Sequence, residues 1–270
     1  MSDTERLAGY VTVWWEAVDS FTHLLEKVPA EQWATPTDLP GWDVHAVAAH
    51  TAHLEALLGG RPHEDIEIGD VPHATGMMGK FTEQGVVARR HDSADELITE
   101  IREATTARHT ALLADPPTDP DAPAPGLFGA IGWTTERLLR NRPLDVWMHE
   151  QDVRRATGIT GGLDSAPAIH SATYLLESFP FVVGKRAQAP AGTSARLSVA
   201  GHDPVTVVVG DDGRARAEAV DGDPTVDLAM DRPTFLLLSG GRRPAEPGAV
   251  RITGDPALAA SIVDAMGVTP

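Results

Sequence analysis

Asp145-Val-Trp-Met-His-Glu-Gln-Asp152 is the stretch on which the fold turns. Wound as a helix, it stacks Asp145 and His149 four residues apart on one face, with Asp152 three residues further along the same side. A carboxylate and an imidazole so placed can hold one ion, and helical bundles build their metal sites from side chains aimed inward in this way. The same spacing also describes an ordinary surface pair. A third donor has to come from another helix, and His50 is the natural candidate. His53 competes with it, following three residues later on nearly the same face.

Outward from that stretch the first half of the chain reads as helices. Residues 128–157 form one helix ending at Gly158, with Pro143 expected to bend or break it, because proline lacks the backbone donor. Residues 4–28 place Leu7, Val11, Trp14, Val18, Phe21 and Leu25 at three- and four-residue steps, one apolar face closed off by Pro29. Asp38-Leu-Pro-Gly-Trp-Asp43 is turn chemistry, and Asp43 is placed to cap a helix from Val44 to Leu58 that stops at Gly59-Gly60. Residues 61–78 read as a long loop, followed by a short helix around 79–91. Ser93-Ala-Asp-Glu96 is a capping-box pattern opening a helix to about Leu113. Five prolines between Pro116 and Pro125 make a stiff connector.

The second half changes character. A helix at 167–178 precedes short alternating segments. Leu197 and Val199, then Val205, Val207 and Val209, flank the turn Gly201-His-Asp-Pro204 as a hairpin. Further strands are expected near 214–220, 225–229 and 249–253, with helices at 232–238 and from Asp255 to Met266. The boundary falls at Gly161-Gly162. The expected architecture is α plus α+β, with a four-helix bundle over 1–160 and a small α+β domain over 161–270.

Composition narrows the function. The chain of 270 residues carries 22 Lys and Arg against 39 Asp and Glu, a net charge of −17, which repels phosphate backbones and anionic lipid surfaces. Neither nucleic acid nor membrane is an expected partner. The apolar runs are short and the first residues lack a signal-peptide profile, so a cytoplasmic protein, monomer or homodimer, is expected. There is no cysteine, so disulfides, thiolate metal sites and a cysteine nucleophile are excluded. Among the other histidines, His45, His63, His73, His91 and His109 read most simply as solvated or loop residues. Trp42, Trp133 and Trp147 read as packing anchors, and Arg137, Arg140 and Arg142 as a solvated face.

Two segments carry a family resemblance. Leu39-Pro-Gly-Trp-Asp-Val-His-Ala-Val-Ala-Ala-His50 resembles the Pro-Gly-Trp-Ser/Thr-Val…His signature of the DinB/YfiT-like superfamily, in its mycothiol-dependent maleylpyruvate isomerase branch. Asp145-Val-Trp-Met-His-Glu-Gln-Asp-Val153 resembles that branch's Glu-x-x-x-His-x-x-Asp motif, and Val87–Glu96 its Arg-rich turn into the third helix. The resemblance extends to the tail, since Val205–Asp211 and Val250–Pro256 are similar to the sterol-carrier-like domain with which such proteins often end. It implies a metal-binding DinB-like bundle with His50, Asp145 and His149 on the ligand positions; two imidazoles and a carboxylate suit a divalent metal, zinc first, and Asp152, on the face of His149, is placed to orient it from behind. In one respect the chain departs from the pattern: the first acidic ligand is usually Glu, and Asp145 is one methylene shorter.

The resemblance also implies mycothiol, the actinobacterial thiol, as cosubstrate, which suits a chain that has to borrow its sulfur nucleophile. The resulting expectation is a transferase or isomerase: a metal-dependent S-transferase, or a maleylpyruvate-isomerase-like enzyme, acting on a small electrophile with a low-molecular-weight thiol. A metal-dependent hydrolase on the same bundle, and a non-catalytic small-molecule-binding protein, are the alternatives.

Overall fold

A computed structural model describes residues 1–269, and the chain divides into two compact units, Met1–Ala168 and a second beginning at Ile169. In the first, α1 (Asp3–Leu25) opens on a capping box in which the Ser2 hydroxyl accepts from the Glu5 amide and the Glu5 carboxylate accepts from the Ser2 amide. The chain enters α2 (Val44–Leu58) through Asp43, whose carboxylate accepts from the Ala46 amide. After the loop comes α3 (Gly76–Ala88), and a second capping box, Ser93 with Glu96, opens α4 (Ala94–Ala114). The helices α1, α2, α4 and α6 (Thr135–Thr157) form the bundle: α1 packs on α4 and α6, α2 packs on the same two, and α3 lies along α2.

The single helix expected over 128–157 is two. A short α5 (Gly126–Ala130) ends before Gly132, which adopts a φ of +84°, and Thr134 then caps α6 (Thr135–Thr157) by accepting from the Arg137 amide. Pro143 lies buried inside α6 without ending it. The helix is held along its length by α1 and α2, and that packing outweighs the lost backbone bond.

Trp14, Val18, Phe21 and Leu25 of α1 are buried with Leu97 and Ile101 of α4 and Val146 and Trp147 of α6. α2 is the most enclosed helix. Every residue from Ala46 to Ala56 is buried, alanines filling much of its surface. Three of those residues, His50, His53 and Glu55, are strongly polar, and a buried polar group needs a partner.

The second unit carries a five-stranded mixed sheet in the order β3-β2-β1-β4-β5. β1 (Ser194–Val199) pairs antiparallel with β2 (Val205–Val209) and parallel with β4 (Val226–Met230), so that Leu197 sits opposite Val205 on one side and Leu228 on the other. β3 (Ala215–Ala217) and β5 (Arg251–Gly254) form the antiparallel edges. Burial alternates along β1 and β4, the period-two signature of a sheet covered on one face. Its helices are α7 (Ala166–Leu176), the short α8 (Phe179–Phe181), α9 (Arg232–Ser239) and α10 (Pro256–Asp264), the last packed on β4 and β5. Among the described residues no helix is long and apolar enough to cross a membrane.

Candidate metal centre

α2 and α6 bring His50, Asp145 and His149 together, with one donor atom from each lying within 4.8 Å of the others. His50 Nε2 stands 3.8 Å from Asp145 Oδ2, and His149 Nε2 stands 3.8 Å from Asp145 Oδ1. Both separations are too long for hydrogen bonds. Donor atoms around a tetrahedral zinc, with bonds of about 2.0–2.2 Å, stand roughly 3.3–3.5 Å apart, so this spacing is near what an ion needs. His50 is buried, and neither of its ring nitrogens has a hydrogen-bond partner among the described residues. A buried imidazole with two idle nitrogens is costly unless something else uses it. The donor set of two imidazoles and a carboxylate therefore fits a divalent ion, and this buried His/Asp cluster could hold one.

Each member is held from behind. Asp152, buried, lies 3.3 Å from His149 Nδ1 and is itself paired with Arg155. A carboxylate there favours the proton on Nδ1 and leaves the Nε2 lone pair facing Asp145. Arg142 Nη1 donates to Asp145 Oδ2 at 2.9 Å. Burial alone would raise the Asp145 carboxyl, but the Arg142 charge, with the two histidines, holds it well below the usual carboxylate range. Burial pushes the His50 imidazole below its ordinary value against the pull of Asp145, with His149 and Arg142 assisting, so the ring is neutral and ready to donate its lone pair.

Arg142 corrects the reading of Arg137, Arg140 and Arg142 as a solvated face. Its side chain is 1% exposed, and it links Asp145 to Glu55 of α2, donating Nη2 to Glu55 Oε1 at 2.8 Å. Glu55, fully buried, also accepts from Trp14 Nε1 of α1 at 3.1 Å and from Arg108 Nη1 of α4 at 3.2 Å. Arg108 and Arg142 against Glu55 and Asp145 make a neutral quartet. Sequence reasoning missed Glu55, whose signal was the lone carboxylate of α2, set among alanine and leucines.

Trp42 lies against the cluster, its ring 4.9 Å from that of His50 and 6.1 Å from that of His149. Its indole nitrogen donates to Glu83 Oε2 at 2.9 Å, which also meets His73 Nε2 at 3.1 Å. The same Trp42 and Glu83 line a cleft of about 820 Å³ together with His45 and Arg90. Asp145 is about a quarter exposed, so the cluster is not sealed from solvent.

His53 points to a different place. Its Nδ1 meets Glu64 Oε2 at 2.9 Å, and burial, against the pull of Glu64, pushes its imidazole down to about 4. His63 stacks on Phe81 with centroids 4.1 Å apart. Of the histidines read as solvated or loop residues, His63 and His73 do lie in the loop but are engaged as described, while His45 meets Asp92 O at 2.8 Å and His109 stacks on Trp15 at 4.2 Å. Long loops folded back on a bundle offer no periodicity from which such contacts can be read.

Comparison with known proteins adds to this geometry. Residues 14–154 match the model of the mycothiol maleylpyruvate isomerase N-terminal domain, and residues 170–261 match that of the MDMPI C-terminal domain. Two solved structures share the fold, a mycothiol-dependent maleylpyruvate isomerase and a histidine-to-alanine mutant under the same name. They are 16% and 15% identical, each with a TM-score of 0.57, and the likeness covers 94% of this chain and 96% of theirs. No curated protein matches the chain.

Proposed function

The chain belongs to the mycothiol maleylpyruvate isomerase family, and on that premise we propose that it is a metal-dependent enzyme using mycothiol as cosubstrate, as S-transferase or isomerase on a small electrophile. The observation that carries the reading is His50: a buried imidazole with both nitrogens idle, beside a carboxylate and a second imidazole too far away to be hydrogen-bonded to it. His50, Asp145 and His149 would hold the ion, with zinc the natural choice for two nitrogens and an oxygen. A divalent ion with an open position would favour the thiolate form of a bound thiol.

The chain's own residues prepare for that. Asp152 sets the His149 tautomer so that Nε2 faces the ion, and Arg142 keeps Asp145 ionised. Because Arg108 and Arg142 balance Glu55 and Asp145, and an imidazole ligand brings no charge of its own, these residues leave the charge of the ion uncancelled, which attracts an anionic sulfur. Trp42, against both imidazoles, shields one side of the cluster from water and presents its indole to the cleft. With no cysteine in the chain, the sulfur has to come from a cosubstrate.

The test is consumption of a panel of small electrophiles by the full chain, with metal and mycothiol omitted in turn. Turnover that requires both is the expected outcome, with glutathione a poor substitute because it lacks the glucosamine–inositol portion. Metal-dependent turnover indifferent to thiol would make the protein a hydrolase. No turnover, with an apolar molecule co-purifying, would make it a binding protein.

A further inference from the structure

α2 presents a second histidine, His53, to a second cluster. His53, His63 and Glu64 each bring one donor atom within 4.8 Å of the others. The hydrogen bonds around the two rings fix their tautomers. Gln84 Nε2 donates to Ile66 O at 2.9 Å and to Asp65 Oδ1 at 3.2 Å, so its amide oxygen is the atom turned toward His63 Nε2, 3.0 Å away. An amide oxygen only accepts, so His63 carries its proton on Nε2 and its lone pair on Nδ1. By the same logic the Glu64 carboxylate accepts a hydrogen bond from the Nδ1–H of His53, and the lone pair lies on Nε2. Those two atoms, His63 Nδ1 and His53 Nε2, are buried and without a hydrogen-bond partner among the described residues. Imidazoles whose N–H is held by an oxygen while the other nitrogen is idle have the arrangement seen in metal-binding histidines.

Charge and space agree. Arg61 and Arg89 face three carboxylates, Glu64, Glu100 and Glu103, so the network beside the two rings carries a negative charge in surplus. The His53 ring lies where a side chain on residue 85 would be: a Cβ on Gly85 would fall 2.1 Å from it, and glycine there makes room for the ring.

We propose that His53 Nε2 and His63 Nδ1 are the donors of a second divalent-cation site on this chain, with Glu64 orienting His53 as Asp152 orients His149, distinct from the cluster of His50, Asp145 and His149. A pair of imidazole donors selects a transition metal such as zinc or cobalt over calcium or magnesium.

Metal-stripped full-length protein titrated with Zn²⁺ or Co²⁺ alone is expected to take up two equivalents per chain. H63A is expected to take up one, H149A the other one, and the double variant none. His63 is only half-buried and sits on a loop, so its replacement leaves the bundle intact, which a thermal melt of H63A checks. E64Q serves as a second variant and is expected to weaken the same equivalent at least tenfold. A single equivalent in the parent, lost in H149A and kept in H63A, overturns the proposal, as does a second equivalent indifferent to both H63A and E64Q. A single equivalent lost in H63A and kept in H149A supports this site and removes the other, so the two failures are told apart.

Discussion

His50 and His53 leave α2 three residues apart and enter two different environments. His50 meets a carboxylate and an imidazole from α6, a neighbouring rigid helix, and is restrained by packing against Trp42 rather than by hydrogen bonds. His53 meets residues of the loop after α2, and both rings of its cluster are pinned by oxygen acceptors. One cluster is built on bundle helices, the other on a helix and a connector. Sites on regular elements hold tighter geometry than sites on loops. The difference points to the α2–α6 cluster as the one suited to chemistry and to the α2–loop cluster as the one suited to holding an ion.

The sharpest way to break this comparison is to exchange the histidines. Replacing His50 with Ala should weaken metal at the α2–α6 cluster by orders of magnitude while the bundle still folds, because the His50 ring makes no hydrogen bond among the described residues whose loss would cost stability. Should His53→Ala empty that cluster while His50→Ala spares it, the roles assigned to the two residues are reversed. Next in size is Glu55→Gln. Stripping the charge from a fully buried carboxylate that serves two buried guanidinium groups should cost about 3–5 kcal/mol, read from denaturant unfolding. A loss under about 1 kcal/mol would mean the quartet contributes little.

Asp152→Asn comes third. It should weaken metal at the α2–α6 cluster by about 10–100-fold through misorientation of His149, and leave the second cluster unchanged. Equal weakening of both would show that the two are coupled. The smallest effect is expected at Asp145. Asp145→Glu should keep metal affinity within about tenfold, since the longer side chain is the one usual in the resembling motif, whereas Asp145→Asn removes the anion and should do worse. Direct titration of the two variants decides it, and an Asn variant that binds as well as the parent would sink the assignment.

Much of the fold was legible in the sequence because helix ends announce themselves chemically. Asp43, Ser93 and Gly158 each mark a terminus at the residue where it falls. The single helix expected over 128–157 failed because Gly132 and Thr134 lie in a stretch with enough apolar residues to pass for a continuing face. The grouping of His50, Asp145 and His149 could be anticipated from the i, i+4 spacing and from a recognisable motif. Glu55 and Arg142 could not, because a charge destined for burial looks the same in one dimension as a charge destined for water. Which loop residues fold back onto α2 was equally hidden, and with them the partners of His53.

The Glu55 carboxylate has a consequence for how the bundle comes apart. It sits on α2 and takes hydrogen bonds from Trp14 on α1, Arg108 on α4 and Arg142 on α6, so each of the four bundle helices has a stake in one buried anion. Neither α2, α4 nor α6 can detach alone without stranding charge in an apolar interior, and departure of α1 takes a hydrogen-bond donor from the same anion and opens it to water. Partial opening is therefore disfavoured relative to complete opening, and slow-exchanging backbone amides in all four helices should share one free energy of exposure, that of the whole bundle.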